Sequence, residues 1–306
     1  MSPARIFAGY QIEALVGKGG MAEVYRAVVR EGPLAGRQVA VKRLLPALAR
    51  DPGYVSLFEQ EAQVTRRLRH PNIVEVLDTG VAGGTPFIVM DYVDGKNLRQ
   101  VLGQCAARGI LLPMDFGAYV AHVLAGALSH AHTGRDEAGR PLGIVHCDVS
   151  PSNVFISRLG EIKLGDFGVA LTPGAAAGAL GAGAFGKIHY LAPEQLRGER
   201  PTPRTDVFAL GAVFFELLTN DFAFPGEDVN EVGQRILMGK LRAPSELRQE
   251  VPFELDAMVL RCLSPDPRDR YPTAAAFSAE LATRYDPAIG TPLAIAAVVR
   301  GLFGTK

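Results

Sequence analysis

The sequence predicts an α+β fold, with strands gathered in the amino-terminal third and helices over most of the remainder. Residues 24–29, 38–42 and 87–90 are short runs rich in β-branched and aromatic side chains. From residue 116 to 132 the apolar positions recur at helical spacing, and residues 206–218 form a second, strongly apolar helical stretch. At 306 residues, 48% apolar and 21% charged, the chain can bury a large core as one large or two coupled domains.

Composition also excludes partners. The 32 basic and 32 acidic residues cancel, so no global field would recruit nucleic acid or an anionic membrane. Three cysteines, Cys105, Cys147 and Cys262, match neither a zinc spacing nor a disulfide framework and suit a reducing compartment. No apolar segment able to serve as a signal peptide follows Met1-Ser2-Pro3-Ala4-Arg5, and no run approaches the roughly 20 apolar residues of a spanning helix. A cytoplasmic location without a transmembrane segment is therefore expected. In residues 292–303, Ile295, Val298, Val299 and Leu302 share one helical face, as in a short helix docked on the body, with a membrane or dimer contact as the alternative.

In chain order, Gly17-Lys18-Gly19-Gly20-Met21-Ala22-Glu23-Val24 resembles a glycine-rich nucleotide loop, with Ala22 where a third glycine is usual. A dinucleotide-binding fold would place a helix next, but residues 24–29 read as a strand, so a strand-turn-strand flap is expected. Lacking Cβ atoms, its glycines let backbone N–H groups approach phosphate. In Gln38-Val39-Ala40-Val41-Lys42 the two-residue period puts Ala40 and Lys42 on one face. A small residue there leaves room for a purine while the lysine reaches phosphates; alone, Lys42 reads more readily as a surface lysine on a strand edge. A helical segment carrying Glu61 follows and runs to about His70-Pro71-Asn72, with Glu59 on a solvated side. Phe87-Ile88-Val89-Met90 is a buried strand that steps into the polar Asp91-Tyr92-Val93-Asp94-Gly95.

Further on, Asp148 and Asn153 share the stretch His146-Cys147-Asp148-Val149-Ser150-Pro151-Ser152-Asn153, and Asp166-Phe167-Gly168 follows the apolar run Ile162-Lys163-Leu164. Phosphoryl transfer needs a carboxylate to orient the attacking hydroxyl and oxygen donors for a hard cation. Lys42, Glu61, Asp148, Asn153 and Asp166, in that order and with these neighbours, resemble the eukaryotic-like serine/threonine protein kinases, especially the bacterial ones. The likeness runs from about Tyr10 to about Leu281.

That resemblance implies a two-lobed fold, with a small antiparallel-sheet lobe carrying one main helix and a larger, mostly helical lobe. Residues 1–9 would be an N-terminal extension, 10–90 the first lobe, 91–95 the hinge, 96–284 the second lobe and 285–306 a tail. It implies ATP- and Mg2+-dependent transfer to serine or threonine of protein substrates. Glu61 would fix Lys42 on the α- and β-phosphates, Asp148 would accept the hydroxyl proton, and Asn153 and Asp166 would ligate magnesium. ATP would lie against Val16, Gly17, Lys18, Gly19, Gly20, Val24, Ala40, Lys42, Met90, Asp91, Val93 and Phe155, the backbone of Asp91 and Val93 meeting the adenine edge. His146 and Phe167 are expected to be structural, since no activated nucleophile accompanies them. Asp206 would brace the catalytic loop, and Arg270 would pair with Glu194 in the Ala192-Pro193-Glu194 segment, which shapes a peptide site rather than a small-molecule one.

Two positions depart from the family pattern. Cys147 stands where many relatives have the arginine that grips a phosphorylated activation segment, and between Asp166 and Glu194 the only hydroxyls are Thr172 and Tyr190. Clamp and phosphate are missing together, so activity independent of activation-segment phosphorylation is expected. Ser150 stands where a lysine usually contacts the transferring phosphoryl group, and Lys187 where threonine is common, a reversal in which Lys187 supplies the charge. A solvated Lys187 is the plain alternative. Ser150, Cys147, Ala22 and Lys187 together keep open a nucleotide-binding regulatory scaffold with a protein partner. Residues 181–187 also satisfy P-loop spacing, but Ile188 cannot ligate magnesium and no flanking strand or helix is evident.

Overall fold

The computed structural model describes residues 5–167, 185–284 and 290–304. The chain divides into two compact units, residues 1–69 with 74–92 and residues 70–73 with 93–306.

The first unit is a six-stranded antiparallel sheet and one helix. Its strands are β1 (Arg5–Phe7), β2 (Tyr10–Lys18), β3 (Ala22–Val29), β4 (Gln38–Leu44), β5 (Val76–Ala82) and β6 (Thr85–Asp91), ordered β1-β2-β3-β4-β6-β5. Two shifts of register in β2 and one in β5 are the irregularities that curl such a sheet. Central β4 is buried on both faces. Val39 and Val41 pack with Ala27, Val29, Phe87 and Val89, and the short edge strand β1 adds Phe7, whose ring meets Phe87 edge-on at 5.3 Å. On the other face Ala22, Leu44 and Ile88 receive Phe58 and Ala62 of α1 (Pro52–Thr65). Asp51 caps α1 by accepting from Gly53 N at 2.8 Å, with Pro52 in the first turn. The helix ends at Thr65, earlier than the sequence suggested, because tighter turns through Arg67 and Leu68 carry Leu68 into the core.

The second unit opens with β7 (Gly95–Asn97), which joins β8 (Val154–Ser157) and β9 (Ile162–Leu164) in a small antiparallel sheet. A Cβ on Gly95 would lie 1.9 Å from the Ile156 carbonyl oxygen, so only glycine fits there. Among the described residues the unit also holds the helices α2 (Leu98–Arg108), α3 (Met114–Thr133), α4 (Phe185–Ile188), α5 (Pro193–Leu196), α6 (Pro203–Thr219), α7 (Val229–Met238), α8 (Pro244–Leu247), α9 (Phe253–Cys262), α10 (Ala274–Arg284) and α11 (Pro292–Phe303). Every residue of α6 from Thr205 to Thr219 is buried, which fits a hydrophobic helix packed by α3, α9 and α10. α11 rests on α2 through Ile295, Ala296, Val299 and Leu302. Sheet-plus-helix followed by a mostly helical unit is the α+β class that the sequence predicts. Among the described residues, no helix is long and apolar enough to cross a membrane.

Candidate functional site

In the first unit, strand register gathers the residues expected to hold nucleotide. Val24 pairs with Lys42, and Ala40 with Met90. Directly opposed residues of antiparallel strands share a face, so Val24, Lys42, Ala40 and Met90 line one side of the sheet. Lys42 is 9% exposed, and its Nζ donates to Glu61 Oε1 at 2.6 Å. A buried ammonium needs such a partner, and α1 supplies it because Phe58 and Ala62 fix its rotation against the sheet. Glu59, on another side of α1, is exposed.

The glycine-rich turn between β2 and β3 closes with Gly19 N donating to Ala22 O at 2.8 Å. Gly17, Gly19 and Gly20 all lack positive φ. A Cβ on Gly17 or Gly19 would meet nothing closer than 3.6 Å, and one on Gly20 nothing within 4 Å. The fold itself therefore tolerates side chains there; the open backbone is a cradle that Cβ atoms would fill, and it fits a phosphate chain. Lys18, largely exposed, lies 3.6 Å from Glu23, and Val16 is exposed as well. Asp91 N–H donates to Glu75 O at 2.9 Å, while its carboxylate takes Arg37 Nη2 at 2.6 Å.

In the second unit, the loop before β8 carries Asp148, the residue expected to act as base. Asp148 Oδ2 accepts from Lys187 Nζ at 2.6 Å and from Asn153 Nδ2 at 2.9 Å. Asn153 Nδ2 also donates to the Asp148 carbonyl at 2.8 Å, which leaves Oδ1 as the amide atom that can face a cation. Gly165 N donates to Asn153 O at 2.9 Å and so ties Asp166, the next residue, to the same loop. Asp166 has φ +53. Among the described residues no three His, Cys, Asp or Glu side chains form a metal cage. One amide oxygen and one carboxylate suit magnesium, which takes the rest of its shell from water and substrate phosphates. Phe155 lies on β8, opposite Asn97 and Lys163, and Val93 just before β7.

The support beneath this loop is buried. Asp206, in the first turn of α6, accepts from His146 N at 2.7 Å and Cys147 N at 2.9 Å, and its Oδ2 lies 2.7 Å from His132 Nε2. His146 is fully buried. Its Nδ1 accepts from Asp148 N at 3.2 Å, so the proton sits on Nε2, 3.1 Å from Gly165 O. Burial drives the His146 pKa down, outweighing the pull of Asp206 and Asp148, and a neutral ring packs 4.4 Å from Phe167. Both side chains are packed in the interior, which is where a structural role would put them. Burial also pushes the Cys147 thiol well up, so it is no nucleophile. Arg270 binds both oxygens of Glu194 at 2.8 and 2.9 Å, with Thr205 Oγ1 on Oε1 at 2.8 Å. Burial works against the Glu194 carboxylate, but Arg270 holds its pKa below the usual value.

Gln195, Arg99 and Glu216 have no signature in the sequence. Gln195, in α5, donates from Nε2 to Cys147 O at 2.9 Å. Arg99, at the start of α2, binds both oxygens of buried Glu216, at 2.6 and 3.1 Å, and also contacts the Tyr190 hydroxyl. That hydroxyl donates to Glu216 Oε2 at 2.5 Å. These partners lie 48, 117 and 26 positions apart, so no local spacing could reveal them. Tyr190 is 4% exposed, and burial raises its pKa well above the usual value. Thr172, Gly168 and the run of glycine and alanine from 174 to 184 lie outside the described residues, as does most of the P-loop-like stretch.

Comparison with known proteins accords with this geometry. The family model for the protein kinase domain matches residues 10–281. The chain is 36% identical over 277 residues to the tyrosine-protein kinase MasK of Myxococcus xanthus, covering 90% of this chain and 43% of that protein. It is 35% identical over 282 residues to the serine/threonine-protein kinase PrkC of Bacillus subtilis, covering 92% and 41%. It thus spans less than half the length of these relatives. Among solved structures, the kinase domain of PknI from Mycobacterium tuberculosis superposes with a TM-score of 0.68 at 28% identity, covering 93% of this chain and 99% of that one.

Proposed function

Because this chain belongs to the protein kinase family, we propose that it transfers the γ-phosphoryl group of ATP to serine or threonine hydroxyls of protein substrates, without prior phosphorylation of its own activation segment. The observation that carries this is the Asp148 carboxylate, held at once by Asn153 and Lys187 at 2.9 and 2.6 Å. Lys42, paired with Glu61, grips the α- and β-phosphates, and the glycine turn lends backbone N–H groups to the rest of the chain of phosphates. Asn153 and Asp166 hold Mg2+, which when bound neutralises charge on the phosphate oxygens. Asp148 orients the substrate hydroxyl and takes its proton as the oxygen bonds to phosphorus and ADP leaves. The Lys187 ammonium offsets charge that builds on the transferring oxygens, the role that Ser150 cannot fill.

Names of relatives such as PrkC favour serine and threonine, whereas MasK is named for tyrosine. Independence from activation-segment phosphate is supported by Cys147, which has no guanidinium to bind one, and by Tyr190, whose hydroxyl is buried and paired. A cytoplasmic setting fits three free, buried cysteines.

Labelled ATP with Mg2+ and a generic protein acceptor, followed by phosphoamino-acid analysis, tests the proposal. Label on serine or threonine is expected for wild type and Thr172→Ala and lost in Asp148→Asn. No label in wild type but label in Ser150→Lys would favour a regulatory scaffold that acts through a protein partner. Label that disappears in Thr172→Ala would refute phosphorylation independence.

A further inference from the structure

Cys147 occupies a conformation that its residue type resists. Its φ is +64, in the left-handed region that L side chains disfavour. Such a residue persists only where its surroundings over-determine it. Here both faces of the residue are pinned. Its N–H goes to Asp206 Oδ1 at 2.9 Å, and its carbonyl accepts from Gln195 Nε2 at 2.9 Å. Both ends of the Gln195 side chain are engaged, since Oε1 accepts from Ala192 N at 3.0 Å, and the residue is 3% exposed. Asp206 belongs to a helix that is buried from Thr205 to Thr219. Gln195 belongs instead to α5, directly after the segment that carries Lys187, Tyr190 and Ala192.

We infer that Gln195 is a positioning residue: its amide latches the segment 187–195 to the Cys147 carbonyl, and thereby fixes the direction of the Asp148 carboxylate without any phosphate. The inference rests on the phosphotransfer proposed above and adds the element that takes over from a phosphate clamp. The peptide group whose carbonyl Gln195 holds is the one that joins Cys147 to Asp148. Rotation of that peptide swings Asp148 away from both Asn153 and Lys187. A buried amide suits the task. Its two ends recognise one acceptor and one donor, so the register between the two loops is set, and neither end titrates. Nothing in the latch requires a kinase upstream.

Two near-isosteric variants test the assignment. Q195L removes both hydrogen bonds. Q195E keeps the acceptor but, when ionised, aims a carboxylate at the Cys147 carbonyl; burial raises the pKa of that carboxyl, so in acid it becomes a neutral donor. Each variant is compared with wild type at every pH. Turnover is expected to fall roughly 10- to 100-fold in both at neutral pH, with the KM for ATP little changed. As pH drops towards about 5.5, Q195E is expected to regain activity relative to wild type, while Q195L does not. Hydrogen exchange of the peptide spanning residues 146–153 is expected to quicken in Q195L, and this readout holds even if wild type transfers no phosphate. Wild-type turnover together with unaltered exchange in Q195L, or a Q195E-to-wild-type ratio that stays flat with pH, would overturn the latch. Absence of transfer in wild type with faster exchange in Q195L would count against the proposed activity alone.

Discussion

At the scale of single residues, the Ser150 and Lys187 pair carries the strongest electrostatic expectation. Ser150 is 2% exposed, and its hydroxyl has no hydrogen-bond partner among the described residues. Lys187 reaches Asp148 from the other side with a side chain 52% exposed, so the ion pair adds little to stability, and the role proposed for it is in catalysis. Lys187→Met is therefore expected to lower kcat by roughly 10²- to 10³-fold with little change in melting temperature. Exchanging the two side chains in the double variant S150K/K187T should lose less activity than the product of the single losses, because the charge returns to the same volume from the opposite loop. Turnover assays on wild type, S150K, K187T, the double variant and Lys187→Met decide this, and equal kcat in Lys187→Met and wild type would remove the catalytic role.

The element with the clearest structural test is α11, which lies beyond the residues that match the kinase family model. It is anchored at both ends. Its first turn sits on Gly160, where φ is +84 and a Cβ would lie 1.7 Å from Pro292 O. Near its end, Gln104 and Arg108 donate to the Leu302 and Gly301 carbonyls, each at 3.3 Å, and Lys96 lies 5.0 Å above the Phe303 ring. Gly160→Ala thus combines backbone strain with a clash against α11. Gly139, also at positive φ but with nothing within 4 Å of a Cβ, isolates the strain. In urea titrations Gly139→Ala should cost about 1 kcal/mol or slightly more, and Gly160→Ala clearly more than that. Equal costs would mean that α11 does not sit on Gly160.

Legibility follows element length and range. α3 and α11 were readable because apolar spacing over ten or more residues leaves little choice of face, and α6 because its run is apolar almost throughout. β1 was not, since three residues show no period, and its place in the sheet depends on Phe7 finding Phe87 some 80 positions away. Lys42, Asp148, Asn153 and Asp166 stood out through local neighbours. Gln195 and Arg99 did not, because their meaning lies in partners that only the tertiary fold supplies.

For the molecule as a whole, buried imidazoles set the response to acid. His146 and His189 are each at most 2% exposed, and burial is the main reason that both pKa values fall below the ordinary value of 6.5. In the unfolded chain these rings take up protons near pH 6.5, whereas in the folded protein they stay neutral until the pH is lower. The unfolded state thus binds more protons below about pH 6.5, so stability is complete above that value and declines as pH falls through the depressed folded values. Glu194 acts in the same direction at lower pH. Arg270 holds its pKa down against burial, and the stability it contributes above the usual carboxylate range is lost as pH drops through its folded value. Urea midpoints should then be nearly flat from about pH 7 to 8 and decrease steadily towards pH 5, each histidine contributing at most about 1.4 kcal/mol per pH unit. His189 Nδ1 lies 3.0 Å from Phe224 O, a bond that an asparagine amide can reproduce without titrating. His189→Asn is therefore expected to flatten the slope between about pH 6.5 and 5, with the midpoint lowered at every pH because the stack of the ring on Phe222, 3.8 Å between centroids, is lost. An unaltered slope in that variant would assign the acid sensitivity elsewhere.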